Sequence, residues 1–158
     1  MTANSMTKVS SIRSAPKFRQ TVLLIDDQPT VLEIHAAILK SLKMNLKIVT
    51  MTDPIAALAW LQNKQVDLII TDFRMHKMDG MQFVQALKDA ENILMHAIVV
   101  VTVLQDKTTH QELIASGASA CLTKPVQTQE LALIAKNLLN QSKLDYGLDL
   151  MRAEFKAG

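Results

Sequence analysis

The chain is poor in cysteine, glycine, proline and aromatic residues. Its one cysteine, Cys121, can close neither an internal disulfide nor a cysteine-based zinc site. That excludes the small disulfide-stapled scaffold and the zinc finger, and favours a reducing compartment. Four glycines and four prolines in 158 residues exclude a collagen-like chain, and a hydrophobic content of 49% is too high for disorder. No apolar run approaches the ~20 residues that a membrane-spanning helix needs. One cored domain is the expectation at this length.

A net charge of +2 is a property of the amino-terminal segment. Residues 1–20 hold Lys8, Arg13, Lys17 and Arg19 and no acid, so the remaining 138 residues carry thirteen basic and fifteen acidic groups, net −2. Residues 1–19, rich in Ser, Thr and Lys and without an apolar stretch, read as a flexible basic tail rather than a secretory signal or anchor. Direct nucleic-acid binding and a membrane partner are therefore not expected, and a cytoplasmic location is.

Five short apolar runs punctuate the rest: Val22–Ile25, Leu46–Val49, Val66–Ile70, Ile98–Val103 and Ala118–Leu122. Because they are apolar at consecutive positions instead of alternating, both faces must be covered, which is the mark of parallel strands between two helical layers. The intervening segments carry helical spacing. Pro29 opens a helix over about 29 to 43, Asp53-Pro54 opens a second, and Gly80 precedes a third with Met81, Val84 and Leu87. Asp106 is positioned to cap a fourth helix ending at Gly117, and Thr128 to cap a fifth from Gln129 onward. The order βαβαβαβαβα with right-handed crossovers predicts a doubly wound five-stranded parallel sheet, order 2-1-3-4-5, a flavodoxin-like (βα)5 fold.

In such a sheet the functional groups gather at the carboxyl ends of the strands. A Rossmann-type nucleotide binder is disfavoured, because the first strand is followed by Asp26-Asp27-Gln28-Pro29 and not by a glycine-rich turn. Carboxylates repel phosphate and require a cation. Asp26 and Asp27 end the first strand, Asp72 the third, Thr102 lies near the end of the fourth, and Lys124-Pro125 ends the fifth. Three converging carboxylates need a hard cation, and Mg²⁺ is the natural candidate. Lys124 adds a charge for phosphate oxygens and Thr102 a hydroxyl, so the group resembles a device that accepts a phosphoryl group on a carboxylate.

With these residues in place, the chain resembles a receiver domain of the two-component response regulators, the family that includes the single-domain chemotaxis regulator. The resemblance covers residues 21 to about 141 and rests on Asp26-Asp27, Asp72 within DFRMHKMDG, Thr102 within VVVTV, and Lys124-Pro125, separated by 45, 30 and 22 residues. It implies that Asp72 is the phosphoacceptor, that Asp27 and Asp72 bind Mg²⁺ directly, that Asp26 helps through water, and that the backbone carbonyl of Arg74 completes the ligands. Thr102 would sense the phosphoryl group and Lys124 would neutralise it.

Three positions depart from the family pattern. His76 stands where proline is usual, Val103 where alanine or glycine is usual, and Cys121 where an aromatic commonly switches rotamer. Bulk at Val103 is expected to limit the inward shift of Thr102, and Cys121 to uncouple it from an aromatic flip. Met75, Met78 and Met81 read as core or loop packing rather than a soft-metal site, and His35, His76, His96 and His110 lack metal-ligand spacing.

Beyond the last receiver helix, residues 142–158 form either a helical extension or a tail. From Asn137, Gln141, Leu144, Leu148, Met151 to Phe155 the spacing alternates four and three, as in a coiled coil, while Gly147 interrupts it. Roughly 17 residues are too few for a second domain, so protein contact is the expected output. The predicted function is a phosphorylation-controlled regulator receiving its phosphoryl group from a histidine kinase or phosphotransfer protein, and not an independent enzyme. A homodimer through the fourth helix, fifth strand and fifth helix, or through the carboxyl-terminal helix, is a further expectation. The alternatives are a weakly switching scaffold, or the receiver piece of a longer regulator with a cyclic-dinucleotide output, as the RM-x-x-MDG wording resembles.

Overall fold

The computed structural model describes residues 18–157; most of the expected basic tail, residues 1–17, lies outside the described residues. Ten elements alternate: β1 (Gln20–Ile25), α1 (Pro29–Lys40), β2 (Leu46–Met51), α2 (Pro54–Leu61), β3 (Gln65–Asp72), α3 (Gly80–Asp89), β4 (Leu94–Thr102), α4 (Lys107–Ala115), β5 (Ala120–Thr123) and α5 (Thr128–Ala157). The strands form one parallel sheet in the order β2-β1-β3-β4-β5, as expected.

The apolar runs supply both layers of core by strand alternation. Val22, Leu24, Leu68, Ile70, Val99 and Val101 face α1 and α5, meeting Leu32, Leu39, Leu131 and Leu139. Leu23, Ile25, Ile69, Ile98 and Val100 face the other way, onto Ala57, Leu61, Phe83, Leu87 and Leu113. Every residue named in these two layers is nearly or wholly removed from water, and burial of such side chains contributes about 1.5 to 3 kcal/mol each before the entropy of ordering is charged against it. Met75, Met78 and Met81 pack against the second layer, as core filler.

Several boundaries differ from the sequence reading. β4 begins at Leu94, four residues earlier than the apolar run, because Leu94 and Met95 pair with Gln65 and Val66 of β3. It ends at Thr102, which leaves Val103 outside the sheet. β5 begins at Ala120 because Gly117, at φ +118°, turns the chain and Ala118 N–H still donates to Leu113 O at the end of α4; that left-handed conformation suits glycine. α1 stops at Lys40, with Lys43 at φ 53° closing the turn.

Caps account for the helix starts. Asp53 Oδ1 accepts from Ile55 N–H at 2.9 Å, and Asp106 Oδ2 accepts from Thr109 N–H at 2.9 Å. Asp79, which the reading passed over in favour of Gly80, forms a reciprocal capping box with Gln82, each partner satisfying an otherwise orphaned backbone N–H. Thr128 is the first residue of α5 rather than its cap, and Leu131 N–H donates to the carbonyl of Gln127.

α5 runs unbroken through Gly147 for 30 residues. Its middle is tied to the amino-terminal end of the sheet: Gln20 Nε2 donates to Leu139 O at 2.7 Å, Ser142 Oγ donates to Asp67 Oδ1 at 2.8 Å, and Tyr146 stacks on Phe18 with ring centroids 4.9 Å apart. Among the described residues no helix is long and apolar enough to cross a membrane.

Candidate functional site

Strand registers bring distant residues level at one end of the sheet. Ile25 lies opposite Thr71, so Asp26 and Asp72 are neighbours. Asp72 lies opposite Val101 and Thr102 opposite Thr123, so Thr102 and Lys124 complete the row one residue on. Carboxylate oxygens of Asp26, Asp27 and Asp72 all lie within 4.8 Å of one another. Lys124 Nζ reaches Asp72 Oδ1 at 2.7 Å and Asp26 Oδ2 at 3.9 Å, and His76 Nε2 lies 3.5 Å from Asp27 Oδ2.

Burial sets the electrostatics. Asp26 and Asp72 are buried, while Asp27 is half-buried. Desolvation raises the Asp26 carboxyl above the ordinary aspartate range, aided by the charges of Asp72 and Asp27 and opposed by the Gln28 N–H and by Lys124. The Gln28 N–H donates to Asp26 Oδ1 at 2.9 Å, which turns the other oxygen toward the cluster and leads the chain into Pro29. A hard divalent cation would relieve the mutual repulsion. The donors are oxygens of three carboxylates, the set that suits such an ion and not a soft metal.

The loop after Asp72 is held at three points. Gly80 N–H donates to Phe73 O at 2.7 Å, and a Cβ on Gly80 would stand 2.9 Å from Phe73 Cα, so the approach requires glycine. Lys77 Nζ pairs with Asp53 Oδ2 at 2.6 Å, tying the loop to the start of α2. Thr71 Oγ1 donates to the Asp72 carbonyl at 3.0 Å. Arg74 is exposed within this loop, two residues past Asp72.

Thr102 ends β4, where the sequence reading put it. Its side chain is buried, but its Oγ1 accepts the Leu104 N–H at 3.0 Å and so serves its own loop. The Leu104 carbonyl in turn accepts from His110 Nε2 on α4 at 2.7 Å; a carbonyl has no proton to give, so Nε2 carries it. Val103 is 52% exposed.

Val103 lines a groove of about 640 Å³ beside the carboxylates, with Gln28, His35, Lys124, Pro125 and Val126. His35 was legible only as a helical residue. It is buried, and burial together with the nearby Lys124 charge pushes its imidazole below the ordinary histidine value, against the opposing pull of Asp72, so it is neutral near pH 7. Cys121 is half-buried among the second core layer, and burial raises its thiol; it is not activated as a nucleophile.

A family model described as the response regulator receiver domain matches residues 22–136, the span from the third residue of β1 into α5 that contains every group in the row. The chain belongs to the response regulator receiver family. Among curated relatives, this receiver is 29% identical over 118 residues to the cyclic di-GMP phosphodiesterase response regulator RpfG of Xanthomonas campestris, covering 75% of this chain and 31% of that protein. It is 30% identical over 123 residues to the heme response regulator HssR of Staphylococcus epidermidis, covering 78% and 53%. The chain thus spans no more than about half the length of these relatives. Among solved structures, the chemotaxis response regulator CheY4 of Vibrio cholerae superposes with a TM-score of 0.66 at 26% identity, covering 77% of this chain and all of that one. A receiver domain protein from Clostridium thermocellum gives 0.68 at 26%, covering 79% and 98%. The flavodoxin-like receiver fold and its place in two-component signalling are established by these matches together with the sheet order.

Proposed function

We propose that this receiver accepts a phosphoryl group on Asp72 from the phosphohistidine of a histidine kinase or phosphotransfer protein, and signals by protein contact. An Asp72 carboxylate oxygen attacks phosphorus; a P–O bond forms as the P–N bond breaks, and the leaving imidazole nitrogen keeps the electron pair and takes a proton from water. The reading is carried by one observation: a lysine ammonium 2.7 Å from a buried carboxylate, inside a cluster of three. Attack of one anion on another needs positive charge on the incoming oxygens. Lys124 supplies part of it, and Mg²⁺ would supply the rest, held by Asp27, Asp72 and the Arg74 carbonyl with Asp26 helping through water. The Thr102 hydroxyl, whose oxygen accepts the Leu104 N–H, donates its own proton to a phosphoryl oxygen, and α4, β5 and α5 present the consequence to a partner.

Intact mass after treatment with a small acyl phosphate tests this. One phosphoryl mass is expected with Mg²⁺, none with a chelator and none in Asp72→Asn; uptake by Asp72→Asn at the parent rate would overturn it. The relation to RpfG favours a second reading, in which the same switch governs a cyclic-dinucleotide phosphodiesterase on a longer chain. That reading requires hydrolysis of the cyclic dinucleotide by the longer polypeptide to change with Asp72 phosphorylation.

A further inference from the structure

Four large apolar side chains of α5 face water on one stripe. Leu144, Leu148, Met151 and Phe155 are exposed by 68%, 52%, 67% and 91%, at successive spacings of four, three and four residues, which is the seam of a coiled coil. The opposite side of the same helix is the one that packs on the receiver: Ala135, Leu139 and Ser142 are buried, and Tyr146 stacks on Phe18. The seam therefore points away from the body. It borders a shallow groove lined by Asn140, Lys143, Leu144, Gly147, Leu148 and Met151, and a Cβ on Gly147 would meet nothing within 4 Å. Scattered single exposed leucines need no explanation, but a contiguous stripe does.

We propose that this seam pairs antiparallel with the seam of a second copy of the chain, about a two-fold axis between residues 149 and 150. Charge and area select this occupant and this direction. In the antiparallel register Leu148 meets Met151 of the second copy and Leu144 meets Phe155 of the second copy, each contact occurring twice. Asp145 then lies on the same flank as Arg152 of the second copy, again twice, while Gly147 and Glu154 share the other flank without like charges opposed. The parallel register offers no opposite-charge pair: Asp145 would face Asn140 and Arg152 would face Gly147.

The area is sufficient. The four side chains on each of two copies remove roughly 1,000 Å² from water, the lower bound for a specific interface. An interface of that size forms and dissociates with protein concentration. Because the axis lies near residue 149, the two receiver bodies stand at opposite ends of the paired helices, and Asn137 and Gln141 stay outside the apolar layers. A two-fold interface of this kind is self-complementary and closed. It does not rest on phosphoryl transfer.

Light-scattering mass of the full chain over a dilution series tests the association. Two copies are expected at high concentration, dissociating on dilution, and Leu148→Glu should give one copy with unchanged helical circular dichroism. Asp145→Arg alone should weaken the dimer about tenfold, and adding Arg152→Asp should restore most of the loss. Direction is read by oxidation in a Cys121→Ser background: Leu144→Cys mixed with Phe155→Cys should give the mixed disulfide. A parent mass of one copy at every concentration would overturn the proposal. So would disulfides formed only between identical variants, which mark a parallel pair, or Leu148→Glu remaining dimeric, which moves the interface elsewhere.

Discussion

Lys124 Nζ stands 2.7 Å from Asp72 Oδ1 and 3.9 Å from Asp26 Oδ2, so one ammonium at the end of β5 offsets carboxylates delivered by β1 and β3. The arrangement gathers opposing charge at the site proposed to receive the phosphoryl oxygens, above the two core layers.

Removing that ammonium should be felt before any phosphorylation. Lys124→Ala leaves Asp72 buried without its partner, which costs about 1 to 3 kcal/mol. Denaturant unfolding of the metal-free variant should show this loss. Added Mg²⁺ should raise the stability of the variant by more than that of the parent, because the ion then supplies the missing charge. An equal Mg²⁺ effect in both proteins would mean that Lys124 and the ion do not share the same carboxylates.

Asp27 is the least buried of the three carboxylates, and its loss relieves repulsion within the cluster. Asp27→Ala should weaken Mg²⁺ binding sharply, read by calorimetry. The metal-free fold should be unchanged or more stable, within about 1 kcal/mol of the parent. Parent-like affinity in the variant would move direct ligation to Asp26.

His35 gives the fold an acid sensitivity. Its imidazole is depressed below the ordinary 6.5, first by burial and then by Lys124, with Asp72 opposing. A histidine with a depressed folded value contributes stability that is fully present above its unfolded value and is lost as pH falls from about 6.5 through the folded value. Unfolding free energy of the parent should therefore decline on acidification through this window. His35→Leu should flatten that part of the curve, and equal slopes in the two proteins would show that His35 is not the titrating group.

What could be read from the residues alone was whatever depends on local pattern. Both-face burial follows from consecutive apolar residues, and the converging row follows from parallel strands of known order, so Asp26, Asp27, Asp72 and Lys124 could be brought together without coordinates. Neighbouring strands and loop backbone decide the rest. β4 begins at Leu94 because β3 offers a pairing partner there, which no window around Leu94 contains. Gly147, a poor helix former by about 1 kcal/mol, does not break α5. The contacts of Gln20, Ser142 and Tyr146 anchor the helix just before that residue, and they join positions more than a hundred residues apart or depend on Asp67 of β3. The hydroxyl of Thr102 is bonded to Leu104, a matter of loop dihedrals to which sequence is silent.

That hydroxyl is the start of a short chain of bonds to α4. Thr102 Oγ1 accepts from Leu104 N–H, and Leu104 O accepts from His110 Nε2 on α4. If Asp72 takes up a phosphoryl group as proposed, an inward movement of Thr102 would stretch or break the bond its Oγ1 accepts from Leu104, a net cost of about 0.5 to 1.5 kcal/mol, and the freed loop would release or re-aim His110. Donation from the Thr102 hydroxyl to a charged phosphoryl oxygen, a bond roughly twice as strong as a neutral one, would offset that cost. Val103, already half-exposed, adds little to this balance, and Val103→Ala should change stability by no more than about 0.5 kcal/mol. Thr102→Val should destabilise the resting fold by about 1 kcal/mol through the orphaned Leu104 N–H, and speed exchange of that amide. With a beryllofluoride mimic, the parent should show large NMR shifts at Leu104 and at the His110 ring, while Thr102→Val should show shifts confined to the surroundings of Asp72. Matching His110 shifts in both proteins would mean that the signal reaches α4 by a route that bypasses Thr102.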